Sequence, residues 1–297
     1  MGKTMGRTMI WAVAAMLGLA MAFPPQMAGQ GNQTLRPADS DLYCAGYFTQ
    51  RPMDTGMTIL ASEDGGSKNE YADHDIIYLT RGQGAAPGSE FMVVRPIYDT
   101  NPRESYPGQK KMIMGLGTLY AEIARIQIRV ANEGSLTAEV THACEPALAG
   151  DLVVPLTPRS APAYRFPKLV DRFAPSSGKP TGRVVAAKEL AQSVGEGNIV
   201  YVNLGSAQGA QVGAYLRVFR TPAQMSDDPL ETAMRKYLTT GMGGQAVGRK
   251  LTPADVASLP RTVLGSVMLI AVEEGSSTGI ITFSREELTI GDMVEME

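Results

Sequence analysis

The sequence predicts a mainly β protein: two tandem, duplicated small β-barrels joined by a proline-rich linker, with a partly helical insertion in the second. Three observations carry this expectation. A phrase near residue 133 returns near the C-terminus, each copy is a string of short β-branched runs separated by glycine, and prolines crowd between the copies. EGSLTAEVTHACEPALAGDLVV (Glu133 to Val154) and EGSSTGIITFSREELTIGDMVE (Glu274 to Glu295) agree without a gap at nine of twenty-two positions. Upstream, Tyr78 pairs with Tyr201, Gly82 with Gly205, Gly88 with Gly213, Arg95 with Arg220 and Gly117 with Gly265. The repeating unit is about 110 residues, too long for a solenoid repeat, so it reads as a duplicated domain.

In chain order, residues 1–22 read as a signal peptide. Lys3 and Arg7 precede the apolar run MIWAVAAMLGLAMAF, and Ala20-Met21-Ala22 is a small-x-small cleavage site. A retained membrane anchor is the alternative, but the run is short for a span. Nothing later is long and apolar enough, so no transmembrane segment is expected after cleavage near Phe23. Residues 23–40 read as a flexible mature N-terminus.

The first barrel is expected over 41–157, with IIYL, EFMVV, ARIQIRV and AEVTHA as strands. In ARIQIRVA, Ile126 and Ile128 alternate with Gln127 and Arg129, the pattern of a half-buried strand. The linker is 158–180; the wider stretch Pro155 to Pro180 holds six of nineteen prolines, a density that favours extended chain. Its Tyr164, Phe166, Leu169, Val170 and Phe173 are apolar enough to lie along a neighbouring domain. The second barrel is expected over 181–297, with IVYV, YLRVF, SVMLIAV and GIITF as strands. The pairs Gly150-Asp151 and Gly291-Asp292 fit tight turns into a last strand, because glycine supplies φ > 0 and aspartate bonds nearby amides. Gly88 and Gly213 fill a matching turn earlier in each copy.

Each copy carries an insertion after its Arg95 or Arg220 strand. The first is short, IYDTNPRESYPGQKKMIM; the second spans 221–260. There DDPLETAMRKYLTT reads as a helix, GMGGQAVG as a mobile stretch, and TPADVASL as a helix start with Thr252 at the cap, Pro253 first and Asp255 three on.

The chain is 44% hydrophobic and 19% charged, which suits a folded protein. A net charge of −3 with no dense basic block argues against a sequence-independent grip on nucleic acid. The two cysteines, Cys44 and Cys144, favour a disulfide in an oxidising compartment, with two buried thiols as the alternative. The loop so closed is about 100 residues, for which chain entropy allows at most about 4.7 kcal/mol.

The ordered cues Val200-Tyr201, Gly205, Gly213, Val218, Arg220, Leu264-Gly265, Ser276-Ser277 and Gly291-Asp292 have counterparts in Ile77-Tyr78, Gly88, Phe91, Val93, Arg95, Leu116-Gly117 and Gly150-Asp151. This layout resembles the SH3-like β-barrel at the C-terminus of flagellar assembly protein T. It is also similar to the paired barrels that follow LysM modules in some bacterial envelope proteins. The resemblance covers about 220 residues and implies two SH3-like barrels with a non-catalytic role in envelope assemblies. The chain has no LysM pattern. The expected location is exported: periplasmic, outer-envelope associated or secreted. The expected partner is an envelope protein, with association to peptidoglycan left open.

Candidate chemistry is sparse. His74, between Asp73 and Asp75, could act as a base or ligand, but it sits at a turn before a strand. His142 and Cys144 lie two apart on one strand and so point the same way; the second copy has Phe283 and Arg285 there. Ser176-Ser177-Gly178-Lys179 has a Ser-x-x-Lys spacing, but it lies in the linker. Gly2-Lys3-Thr4 ends like a phosphate loop without its upstream glycine. No catalytic residue, metal site or cofactor is expected. An adaptor is the first functional reading, and an exported enzyme or small-ligand binder with a site between the barrels is the second.

Overall fold

The alternating runs become antiparallel strands, and the two copies order them alike. The computed structural model describes residues 35–53, 56–82, 85–98, 104–165, 170–221 and 252–297, with Gly2 apart from them. Apart from Gly2, the segment 1–22 read as a signal peptide lies outside the described residues, as do Phe166, Leu169, DDPLETAMRKYLTT and GMGGQAVG.

The first copy opens with helix α1 (Asp39–Tyr43) and strands β1 (Tyr47–Thr49), β2 (Ile59–Ser62), β3 (Glu70–Tyr71), β4 (Ile76–Thr80) and β5 (Glu90–Ile97). Helix α2 (Gln109–Leu116) then leads into β6 (Thr118–Ala131), β7 (Ser135–Ala143), β8 (Ala147–Leu148) and β9 (Leu152–Pro155). The second copy holds β10 (Thr181–Ala187), β11 (Ser193–Val194), β12 (Ile199–Val202) and β13 (Tyr215–Arg220). Helix α3 (Pro253–Ser258) precedes β14 (Thr262–Val272), β15 (Ser277–Ser284), β16 (Leu288–Thr289) and β17 (Met293–Met296).

The second copy is a closed six-strand barrel in the order β10-β12-β15-β14-β13-β17. It closes where Thr181, Gly182 and Arg183 pair with Glu295, Val294 and Met293. The first copy repeats that order as β2-β4-β7-β6-β5-β9, within a seven-stranded sheet to which β1 adds on β6. Its two ends meet at the isolated bridge Thr58–Leu152, next to a hydrogen bond of 2.9 Å from Val153 N–H to the Met57 carbonyl. The added strand is possible because β6, at 14 residues, starts early enough for Tyr47, Phe48 and Thr49 to face Tyr120, Leu119 and Thr118.

The repeat is visible in matched turn bonds, but not at Gly117: Val218 faces Gly265 where its counterpart Val93 faces Ala124, so Ala124 and not Gly117 corresponds to Gly265. Gly88 (φ 88°) and Gly213 (φ 83°) donate to Ile128 and Leu269, each over 2.8 Å. Gly150 (φ 93°) and Gly291 (φ 107°) donate to Ile59 and Val184, again over 2.8 Å. These last two turns need a residue at ease with positive φ. His74 (φ 69°) occupies the turn that Gly197 (φ 86°) holds in the other copy; their amides reach Val140 and Ile281 over the same 2.8 Å.

Ile126 and Ile128 are fully buried, as their alternation predicts, in a first-copy core with Ile77, Leu79 and Val93. The second barrel packs Val200, Val202, Leu216, Val267 and Leu269 inside. A third apolar cluster lies between the copies: Phe48, Val94 and Leu119 from one side meet Tyr201, Met268 and Ile280 from the other. Residues 34–297 consequently form one compact unit. The linker is held as well, since Tyr164 packs on the shared cluster and the Arg165 amide donates to the Tyr215 hydroxyl over 2.7 Å. Phe173 departs from the expectation: it is exposed, while Val170 and Ala174 take the apolar contact beside Phe219 and Val263.

Candidate functional site

The repeated arginine and the repeated Gly-Asp pair meet in both copies. Arg95 clasps Asp151 with its Nε (2.8 Å) and one terminal nitrogen (2.7 Å), and Arg220 clasps Asp292 with two bonds of 2.7 Å. Each aspartate also accepts an amide of its own turn, Leu148 N–H or Thr289 N–H, over 2.8 Å. A fork of two parallel bonds fixes geometry as well as charge. Each clasp therefore pins the end of one strand to the turn that starts the last strand. The sequence contained the signal, since all four residues recur at matched positions, but their pairing was not anticipated.

The seam between the copies is built on a short strap, Cys44 to Thr49. A disulfide from Cys44 to Cys144 anchors it, closing a loop of 100 residues with the Cα atoms 5.5 Å apart. The strap's carbonyls then accept side chains of the second copy. The Tyr201 hydroxyl donates to Ala45 O (2.7 Å), Thr278 Oγ1 to Gly46 O (2.9 Å) and Ser276 Oγ to Phe48 O (3.1 Å). Ser276 and Thr278 belong to the repeated phrase, so the phrase itself supplies two of these three bonds. On the other side the Gly46 amide donates to Glu122 Oε2 over 3.0 Å.

Glu122 is buried to 3% exposure and forms an ion pair of 2.6 Å with Arg159 of the linker. The Arg159 guanidinium also stacks over the Tyr43 and Tyr47 rings, 5.7 and 5.8 Å from their centroids. Burial, with Glu122 close by, pushes the Tyr47 hydroxyl up to about 12. Burial likewise raises Tyr201, so its hydroxyl stays protonated and remains a donor to Ala45.

Two clefts flank the strap. One, of about 230 Å³, is lined by Cys44, Glu122, Glu145, Lys188, Glu189 and Tyr201 among others. Glu189 (φ 59°) and the adjacent Leu190 (φ 56°) hold left-handed backbone at its edge. The other, of about 570 Å³, is lined by Tyr47, Arg51, Arg159, Val212, Ile270 and Glu273 among others. Its charges are paired within the protein: Arg51 reaches Glu273 over 2.7 Å, and Arg159 is held by Glu122.

The remaining candidates are committed elsewhere. His74 is 82% exposed and pairs with Glu139 at 3.3 Å, which Arg129 also holds at 2.7 Å. Asp75 goes to Lys68 (2.6 Å), and Asp73 accepts the Ala143 amide (2.5 Å). The flanking carboxylates therefore serve turns rather than the imidazole. His142 Nε2 lies 3.9 Å from Cys44 Sγ. Ser176 Oγ and the Ser177 amide each donate to Glu295 Oε1 over 2.8 Å. Glu295 is fully buried and also bound by Arg261 at 2.7 Å. Burial pushes its carboxyl up, but the bonds from Arg261, Ser176 and Ser177 outweigh this and hold it at about 2. The Ser-x-x-Lys stretch is thus a linker anchor. In the second insertion, Asp255 Oδ2 accepts the Thr252 amide (2.8 Å) and Thr252 Oγ1 accepts the Asp255 amide (3.1 Å), the reciprocal cap expected at α3.

Among the described residues no helix is long and apolar enough to cross a membrane. The disulfide is consistent with an oxidising compartment. No protein-family profile matches the chain, and no curated protein matches it.

Proposed function

We propose that the chain is an exported, non-catalytic cell-envelope protein that acts as a structural or protein-binding adaptor. In this reading it is a tandem of SH3-like barrels, the first closed only by the Thr58–Leu152 bridge and carrying β1 as an added strand on β6. The observation that carries the proposal is the division of labour among its side chains. The polar groups that join the strap to the rest of the seam, Tyr201, Ser276, Thr278 and the Glu122–Arg159 pair, are bonded within the protein, while large apolar groups stand exposed on the first insertion. Tyr98 is 86% exposed and Met114 79% exposed. Ile97 pairs with Leu119, so Tyr98 emerges beside the end of α2, the helix that carries Met114. Lys110 and Lys111 lie exposed on the same helix. An aromatic and a methionine beside two lysines suit a protein surface with an apolar centre and an acidic rim.

The test is co-isolation from a crosslinked envelope fraction of the chain's own source, using the exported chain and its Tyr98→Ser, Met114→Ser double variant. A defined partner that the double variant loses supports the adaptor. Equal recovery by both chains, or recovery by neither, counts against this face.

The second reading is a small-ligand binder. What favours it is the 570 Å³ cleft between strap and linker, whose volume is in the range of ligand sites. Val212→Trp would fill it: loss of a ligand's thermal stabilisation in that variant supports this reading.

A further inference from the structure

The donor atoms of Cys44, His142 and Cys144 all lie within 4.8 Å of one another. With the disulfide intact, neither sulfur is a thiolate, so the trio cannot ligate as Cys₂His. We propose that reduction of this disulfide by a dithiol converts the trio into a three-ligand site for a thiophilic divalent cation, with zinc as the best fit. Disulfide and metal are then alternative occupants of the same two sulfurs.

The geometry supports each ligand. His142 and Cys144 are two apart, on and just past β7, so their side chains leave the strand on one side. Cys44 faces them from the strap, and His142 Nε2 is already 3.9 Å from its sulfur. In a tetrahedral zinc site with Zn–S about 2.3 Å and Zn–N about 2.0–2.1 Å, donors sit roughly 3.3–3.8 Å apart. The sulfurs need to separate and the imidazole to close in, while the backbone stays in place. Two thiolates and an imidazole form a known zinc donor set that leaves a fourth position for water. Here Cys44 opens on the smaller cleft, so solvent and ions have a path to its sulfur.

The repeat supplies an independent argument. The second copy has Phe283 and Arg285 where the first has His142 and Cys144, and it still closes its barrel. The fold therefore does not require a histidine at this position; the first copy alone carries the ligand set.

The chemistry balances. A dithiol gives up two electrons and two protons and becomes a disulfide; the Cys44–Cys144 bond breaks and two thiols form. The cation then displaces both thiol protons to solvent and gains two bonds to sulfur and one to the Nε2 lone pair.

The test uses the full exported chain, reduced under anaerobic conditions, freed of reductant and titrated with Co²⁺ alone as the optical probe. A thiolate-to-cobalt charge-transfer band saturating at one ion per chain, bleached by zinc and absent in the oxidised chain, is the expected result. His142→Phe copies the residue of the second barrel and keeps both cysteines. It should weaken binding by no less than the roughly 10- to 100-fold that loss of an outer-shell partner costs. Near-UV circular dichroism follows the fold. If the reduced chain loses its tertiary signal and the metal restores it, the site is supported, because binding is then folding. No charge-transfer band, a band of equal affinity in His142→Phe, or metal that fails to restore a lost fold would each overturn the proposal.

Discussion

Removing the Asp151 carboxylate by Asp151→Ala should cost the first copy about 3 kcal/mol, and the structure shows where the loss arises. Asp151 is 5% exposed and Arg95 27% exposed at the side chain. Breaking a fully buried pair from one side costs roughly 3–5 kcal/mol. Arg95 keeps water on part of its guanidinium and a bond of 3.0 Å to the Pro146 carbonyl, so the pair falls below that range, near about 2 kcal/mol. The Leu148 amide loses its acceptor too, adding about 1 kcal/mol. The assay is urea unfolding of the oxidised chain with Arg95→Ala, Asp151→Ala and the double variant. A coupling of roughly 0.5–3 kcal/mol is expected from such contact pairs. The matched cycle at Arg220 and Asp292, where the exposures are 22% and 3%, should give the same sign and similar size. Additive single effects in both cycles would refute the clasp as the element that fixes the last strand.

The other expectations concern the seam and the linker. Tyr201→Phe removes a buried donor to Ala45 O, and the lost bond should lower stability by about 1–1.5 kcal/mol in the same assay. Gly46→Ala should be worse than an ordinary surface change. Its φ is 72° and a Cβ would sit 2.8 Å from the Tyr120 carbonyl, so a loss above about 1 kcal/mol is expected by thermal unfolding. Glu295 governs an acid limb. Its carboxyl is held at about 2 against an ordinary 4.5, so its contribution is complete above pH 4.5 and is lost as pH falls toward 2. Glu295→Gln should flatten the stability profile in that window, read by urea midpoints across pH.

Much of the frame was legible because the duplicated phrase aligns turn glycines and core residues that obey simple periodicity. Ile126 and Ile128 alternate into the core, Thr252 and Asp255 cap α3, and the two cysteines pair as their number suggested. The strap was not legible. Tyr47–Thr49 is three residues long, has no counterpart in the repeat, and derives its strand state from the early start of β6. Helix α2 was hidden for a similar reason: it starts at Gly108 (φ 86°) without a side-chain cap, and its stability comes from burying Ile113 and Leu116. The Glu122–Arg159 pair joins a strand to a linker 37 residues away, a distance at which sequence spacing carries no signal. His74 sits at the turn before a strand that its sequence context suggested, and its place there is conformational, the turn that a glycine fills in the second copy.

The adaptor reading is tested most directly by a photo-crosslinking residue placed singly at 98, 114 and 212 in the chain expressed in cells of its own source. The account predicts one discrete protein adduct shared by positions 98 and 114 and absent at 212. Adducts at 212 alone, or none at 98 and 114, would contradict it.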